Sequence, residues 1–141
     1  MRAKHLWVVA LCIILLSSCK SKFSTSINVE TLAKTSNSWN GDILPKYGNN
    51  QPEVTILKIT IPPHTRLKEH KHPMINAGYL IKGTLRVVDE NGKSLILNAG
   101  ETLVELVNTF HYGENIGNKP AEILVFYAGT VNTPLSIKKK D

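Results

Sequence analysis

The stretch EHKHPMINAGYLIKG, residues 69–83, holds two histidines separated by one lysine, and an asparagine follows four residues after the second. If this stretch is extended, His70 and His72 point to the same face with their Cα atoms roughly 6.6 Å apart. At this distance both imidazoles can reach one ion. Neutral imidazole is a ligand for Zn, Fe, Ni, Cu and Mn. Two surface histidines on an edge strand would have the same spacing, so the pair alone leaves both readings open.

The residues around this stretch are typical of short β-strands. VTILKITI, residues 54–61, alternates apolar and polar side chains, and ENGK, residues 90–93, is typical of a hairpin turn centred on Asn91-Gly92. Further strand-like runs occupy residues 78–83, 84–89, 94–98, 101–107 and 121–129. No convincing amphipathic helix follows residue 53. The sequence therefore predicts an all-β fold, a small antiparallel β-barrel or jelly roll.

A second stretch, GETLVELVNTFHYGEN at residues 100–115, extends the pattern begun by the two histidines. In the first motif of cupin proteins, His-x-His is followed after three or four residues by glutamate and after six more by glycine. Their second motif has ten residues between a glycine and a histidine, and an asparagine after three more. The corresponding residues here are His70, His72, Asn76, Gly83, Gly100, His111 and Asn115. The chain thus resembles the cupin family over residues 52–130, which implies a cupin-type barrel.

The chain departs from the cupin motifs at four positions. His64 and Asn108 stand where the motifs have glycine, and Leu106 stands where the second motif has proline. These three positions concern turns and the barrel rim. Asn76 replaces a glutamate that is a metal ligand in the family, so it offers only a neutral amide oxygen.

The resemblance implies a divalent metal ion inside the barrel, such as Fe, Zn, Mn or Ni. Carried over residue by residue, the nitrogen ligands are His70, His72 and His111, and Asn76 takes the fourth place as a weak ligand. Three neutral imidazoles leave a dication with a net charge near +2 in a low-dielectric pocket. Such a site favours a small anionic ligand, for example a carboxylate, enolate, phosphate or hydroxide.

Glu105 lies six residues before His111 within an otherwise apolar strand. If it faces inward, it is a candidate catalytic acid or base, or a replacement metal ligand. The alternative is an outward carboxylate on a strand whose other face is buried. The aromatic residues Tyr79, Phe126 and Tyr127 are predicted to pack in the barrel core.

Three functions follow from this reading. A binding or sensing module that holds a metal and a small anionic ligand is favoured, because the amide of Asn76 is a poor base and a weak ligand. The alternative is a metal-dependent enzyme of the dioxygenase, isomerase or decarboxylase kinds that the resemblance includes, acting on a small carboxylate or sugar. A barrel without metal is the third. We also expect a homodimer, because pairing would cover the exposed sheet edge of so small a domain.

The N-terminal residues are typical of an exported lipoprotein. Arg2 and Lys4 precede LWVVALCIILL, residues 6–16, an apolar run too short to span a bilayer but typical of a signal peptide. LSSC, residues 16–19, resembles a bacterial lipobox, which implies cleavage before Cys19 and lipidation of its thiol. An ordinary secretory signal or an uncleaved anchor is the alternative. We therefore expect a protein of the bacterial cell envelope, anchored to a membrane by lipid, with its domain outside the cytoplasm.

These features predict four parts along the chain: a signal peptide at 1–18, a tether and N-terminal extension at 19–51, the barrel at 52–130 and a basic tail at 131–141. Cys12 and Cys19 are the only cysteines, so the folded part lacks disulfides, thiolate ligands and a cysteine nucleophile. The net charge of +6 is mild, and export argues against nucleic acid as a partner.

Overall fold

The computed structural model describes residues 26–140, and every regular element within them is a β-strand. Alternating β-branched and polar side chains favour this conformation because they suit a pleated, half-buried surface. In chain order the strands are β1 (Pro52–Ile61), β2 (His70–Lys71), β3 (Ile75–Lys82), β4 (Thr84–Asp89), β5 (Ser94–Asn98), β6 (Thr102–Val104), β7 (His111–Asn115), β8 (Ala121–Thr130) and β9 (Ile137–Lys138).

The strands form two antiparallel sheets. One sheet has the order β1-β8-β3-β6 and the other has the order β5-β4-β7-β2-β9. The longest pairing joins β1 to β8, from Pro52 opposite Thr130 to Ile61 opposite Ala121. The predicted all-β fold with antiparallel strands is confirmed.

Strand parity decides which side chains enter the core. Tyr127 is 6% exposed and belongs to the core cluster, as predicted, whereas its neighbour Phe126 is 44% exposed. Tyr79 is only half-buried, because the buried positions of β3 are the alternate ones on either side of it. The core prediction was therefore wrong for Phe126 and Tyr79, which lie on the outer face of the first sheet. The buried apolar cluster comprises Ile61, Met74, Leu80, Leu85, Val87, Leu97, Leu103, Ala121, Ile123, Val125 and Tyr127.

Left-handed backbone occurs at two of the positions that depart from the cupin motifs. His64 has a φ of 52° and Asn108 has a φ of 60°. Glycine adopts this region at no steric cost, and asparagine tolerates it better than most residues. The backbone of the pattern is therefore kept at both positions although the glycine is not.

The chain divides into two units, and the second, which begins at Thr31, is compact over its described residues. Within the second unit, the Ser38 hydroxyl donates to the Glu105 carbonyl at 2.8 Å and the Trp39 amide donates to the Val104 carbonyl at 2.9 Å. Part of the predicted extension thus lies along β6. The four predicted boundaries stay predictions, and the signal peptide and Cys19 lie outside the described residues.

Within residues 26–140, no helix has the length and apolar character needed to cross a bilayer.

Candidate metal centre

Three histidines lie together in the second sheet, where β2 pairs with β7. His70 in β2 is directly opposite His111 in β7, and His72 follows two residues later, where it bridges to Val107. The ring centroids are 4.9 Å apart for His70 and His72, 4.8 Å for His70 and His111, and 5.1 Å for His72 and His111. One nitrogen from each ring lies within 4.8 Å of the others. The structure therefore brings together the three histidines that the two motifs singled out.

Each imidazole is oriented by a backbone carbonyl. Nδ1 of His70 is 2.8 Å from the Lys68 carbonyl and Nδ1 of His111 is 2.9 Å from the Thr109 carbonyl. Nδ1 of His72 is 2.6 Å from the carbonyl of Leu135. A carbonyl only accepts, so Nδ1 carries the proton in each ring and Nε2 keeps its lone pair for an ion.

The contact from Leu135 was missed by sequence reasoning, which placed residues 131–141 in a basic tail. The segment instead returns to the site, since β9 pairs with β2 through Lys138 opposite His70 and Ile137 opposite Lys71. Lys139 also binds the Glu69 carboxylate at 2.7 Å. The sequence carries a weak indication of this strand in NTPLSIKK, residues 132–139, where a proline is followed by apolar residues that alternate with polar ones.

Burial keeps the three imidazoles neutral. It lowers the pKa of His70, His72 and His111, although the carbonyls at Nδ1 oppose that shift by stabilising the charged form. His72 is 4% exposed and His111 is 2% exposed. Neutral imidazole is the form that binds metal, so the cluster is ready for an ion at neutral pH.

Glu105 faces inward, which resolves the alternative that its sequence left open. Its Oε2 lies 3.4 Å from Nε2 of His111, and its side chain is 14% exposed. Burial raises the pKa of Glu105, and the charges of His72 and His70 oppose this in part. Burial thus acts against charge on both members of the Glu105–His111 contact, which weakens it as a salt bridge.

Asn76 is buried in β3 and is not among the residues that line the cavity beside the histidines. It is 1% exposed and lies opposite Tyr127 in the pairing of β3 with β8. Among the described residues, neither its amide nitrogen nor its amide oxygen has a hydrogen-bond partner. Its role as a weak ligand stays a prediction.

The cavity beside the histidines has a volume of about 60 Å³. The ring of Tyr127 lies 5.5 Å from that of His72, and burial raises the pKa of Tyr127 to about 12. Its hydroxyl therefore stays protonated and can donate a hydrogen bond. The other lining residues are Ile59, Ile61, Leu67, His70, Leu85, Val87, Leu103, Glu105, His111, Gly113, Ile123 and Val125.

The donors fit a divalent metal ion. Three imidazole nitrogens converge, and within the part of the chain that the structure describes, Nε2 of His111 and Oε2 of Glu105 are buried without a hydrogen-bond partner. Buried polar atoms are rarely left in this state, so a missing partner needs an explanation. A cation satisfies both lone pairs at once.

Residues 57–127, about half of the chain, match the family model of the cupin domain. The two antiparallel sheets and the three-histidine cluster agree with this match, and the chain belongs to the cupin family. Among curated proteins, none matches this chain.

Solved structures share the fold at low sequence identity. A double-stranded β-helix protein from Klebsiella pneumoniae has a TM-score of 0.54 and 18% identity, covering 70% of this chain and 87% of that one. A DMSP lyase from Ruegeria pomeroyi has a TM-score of 0.54 and 16% identity, covering 61% and 43%. A Bacillus subtilis oxalate decarboxylase, studied for its Mn(II) centres, has a TM-score of 0.52 and 22% identity, covering 60% and 23%. The chain spans less than half the length of these two enzymes.

Proposed function

We propose that this protein binds a divalent metal ion through His70, His72 and His111 and holds a small anionic ligand beside it. The observation that carries the proposal is the convergence of one ring nitrogen from each histidine, in rings whose Nδ1 is held by a carbonyl so that Nε2 keeps its lone pair. Fe, Zn, Mn and Ni all accept imidazole ligands. Manganese has the additional support of the Mn(II) centres named for the similar oxalate decarboxylase.

The charge and size of the cavity favour a small anion. Neutral imidazoles do not cancel the charge of a dication, and most of the cavity wall is apolar. A volume of about 60 Å³ holds a few water molecules, and it is well below the several hundred Å³ of typical ligand pockets. A carboxylate of a few atoms, or hydroxide, fits this space, whereas a sugar does not.

A second candidate function is a metal-dependent enzyme of the dioxygenase, isomerase or decarboxylase type acting on a small carboxylate. It is supported by Glu105, which lines the cavity and whose pKa burial raises above its ordinary value, the direction that suits a general acid. When bound, the metal would supply a Lewis acid for a ligand oxygen. Glu105 would hold or release a proton at Oε2, and Tyr127 would orient the ligand by donating from its hydroxyl.

We also propose that the protein is a lipid-anchored component of the bacterial cell envelope, with Cys19 as the lipidated residue and the barrel outside the cytoplasm. The support is the charged, apolar and lipobox-like succession of residues 1–19. The measurement is membrane association of the full chain compared with Cys19→Ser. Loss of association in the variant is expected, and unchanged association would contradict the anchor.

A homodimer is supported by the outer face of the first sheet. Ile56 lies opposite Phe126 there, and Val54, Ile56 and Phe126 are 70%, 57% and 44% exposed. Exposed apolar patches of this kind mark association surfaces. Light scattering is expected to give the mass of two chains for the wild type and of one chain for Ile56→Lys.

The metal proposal is tested with the full chain purified in a mild detergent. We expect one divalent ion per chain by elemental analysis after metal loading, and none in His72→Ala. Lys68→Ala, which keeps the carbonyl that holds His70, is the matched control and retains the ion. A wild type without metal under metal-replete conditions would contradict the proposal. Binding of small carboxylates without turnover or oxygen consumption supports the binding protein, and turnover supports the enzyme.

A further inference from the structure

We infer that Glu105 is the fourth protein ligand of the metal and replaces the glutamate that the cupin motif places at position 76. The inference rests on the proposed metal site and adds one residue to it. It assigns the missing carboxylate to the segment after β6 rather than to β3.

The backbone of Glu105 is fixed directly beside Asn76. The Glu105 amide donates to the Asn76 carbonyl at 3.0 Å, and the Glu105 carbonyl accepts from the Ser38 hydroxyl at 2.8 Å. The backbone N–H and C=O of Glu105 are therefore both hydrogen-bonded, to Asn76 and to Ser38. The carboxyl group of Glu105 therefore enters the cavity from the segment beside β3, the strand that carries the glutamate position of the cupin motif.

The side chain of Glu105 is poised with a histidine ligand. Its Oε2 lies 3.4 Å from Nε2 of His111, longer than the 2.7–3.0 Å of an ordinary charge-assisted hydrogen bond. Two ligands bound at about 2.1 Å to one tetrahedral ion are roughly 3.4 Å apart. The observed separation thus suits two ligands of one metal better than it suits a direct hydrogen bond.

Asn76, at the position of the motif's glutamate, carries no charge. A glutamate at position 76 would bury a second carboxylate on the segment hydrogen-bonded to Glu105, where two like charges oppose each other's ionisation. The neutral amide avoids this conflict. Compared with the cupin motif, the carboxylate therefore lies on the neighbouring segment, at Glu105 instead of position 76, and the number of carboxylates stays at one.

The assignment changes the charge of the metal centre. With an ionised Glu105, a dication and its ligands carry a net charge near +1 instead of +2. The centre still attracts an anion, but less strongly than three histidines alone would allow.

The experiment measures metal affinity and the coordination sphere in the full chain. Co²⁺ is titrated into the metal-free protein, its visible absorption spectrum is recorded, and the dissociation constant is obtained by calorimetry. Glu105→Gln is compared with Asn76→Ala and with Glu90→Gln, which removes an exposed carboxylate that does not line the cavity. Circular dichroism and thermal unfolding of each metal-free variant establish that it is folded.

We expect Glu105→Gln to weaken Co²⁺ binding at least 10-fold and to change the spectrum, because even residues that only support a ligand alter affinity by about 10–100-fold. Asn76→Ala and Glu90→Gln are expected to stay within threefold of the wild type. Unchanged affinity and spectrum in Glu105→Gln, or a larger loss in Asn76→Ala, would overturn the assignment while leaving the three-histidine site intact. A wild type that binds no Co²⁺ would instead overturn the proposed function itself.

If Glu105→Gln does not fold, Glu105→Asp serves in its place. It keeps the charge but shortens the side chain by one methylene group, which withdraws the carboxylate from the position beside His111. A ligand predicts weaker binding and a shifted Co²⁺ spectrum in this variant. An unchanged spectrum and affinity would again overturn the assignment.

Discussion

Glu105→Gln is expected to stabilise the metal-free protein, with a pH dependence that identifies the cause. Burial raises the pKa of Glu105 above its ordinary value of 4.5, so the folded chain holds this proton at pH values where the unfolded chain has released it. Below pH 4.5 both states are protonated and the carboxyl group contributes nothing to the difference. As pH rises toward the folded pKa, wild-type stability falls by about 1.4 kcal/mol per pH unit. Glutamine does not ionise, so the variant escapes this loss.

The two proteins should therefore unfold alike near pH 4.5 and separate as the pH rises, until the folded pKa is passed. Each pH unit of this window adds about 1.4 kcal/mol to the advantage of the variant, or roughly 5 °C in melting temperature for a domain of this size. The assay is thermal unfolding in chelator between pH 4.5 and 8, with Glu90→Gln as the exposed control.

A constant difference across this pH range would refute the reasoning. A variant that is less stable than the wild type near neutral pH would also refute it, because it would show that Glu105 and His111 form a true ion pair in the absence of metal. The expected result is instead a residue that costs stability until a metal arrives, as functional sites often do.

Three further predictions concern the histidines, the C-terminal segment and a turn. In Glu105→Gln, where no carboxyl proton competes with the ion, metal affinity should be constant from pH 8 to about pH 6.5 and fall only below it, because burial lowers the pKa of each histidine in the cluster below 6.5; calorimetry that shows release from this variant at pH 7.5 would contradict this. Deleting residues 135–141 removes the carbonyl that orients the second histidine, so metal affinity should fall about 10–100-fold while deletion of residues 140–141 leaves it unchanged. Gly83→Ala should lower the unfolding free energy by about 1–3 kcal/mol, because Gly83 has a φ of 91° and a Cβ there would lie 2.7 Å from that of Ala121. Gly92→Ala has a similar φ with open space around it, so urea unfolding should show a smaller loss there.

The sequence predicted the sheets and the histidine cluster because both depend on periodicity. Residues two apart on an extended chain share a face, so His70 and His72 were bound to project together, and β1 was evident from its alternation. The third histidine required the second motif, since no local rule places His111 opposite His70.

The remaining features of the site depend on contacts between distant segments. The orientation of Glu105 was left open because the sequence does not show which face of its strand is buried, and the structure ends that strand, β6, at Val104. The carbonyl of Leu135 is invisible to any residue pattern, since every residue carries one. Phe126 and Tyr127 were both assigned to the core, although adjacent residues on one strand cannot share a face.

The contact between His72 and the Leu135 carbonyl also bears on the order in which the protein is assembled. All three histidines precede residue 135, so a chain emerging stepwise has its ligands before it has the group that orients one of them. The complete centre exists only after the segment carrying β9 has arrived and paired with β2. If the chain is exported unfolded, as the proposed signal peptide requires, the proposed ion would be acquired at the destination, and its identity would reflect the metals supplied in that compartment rather than in the cytoplasm.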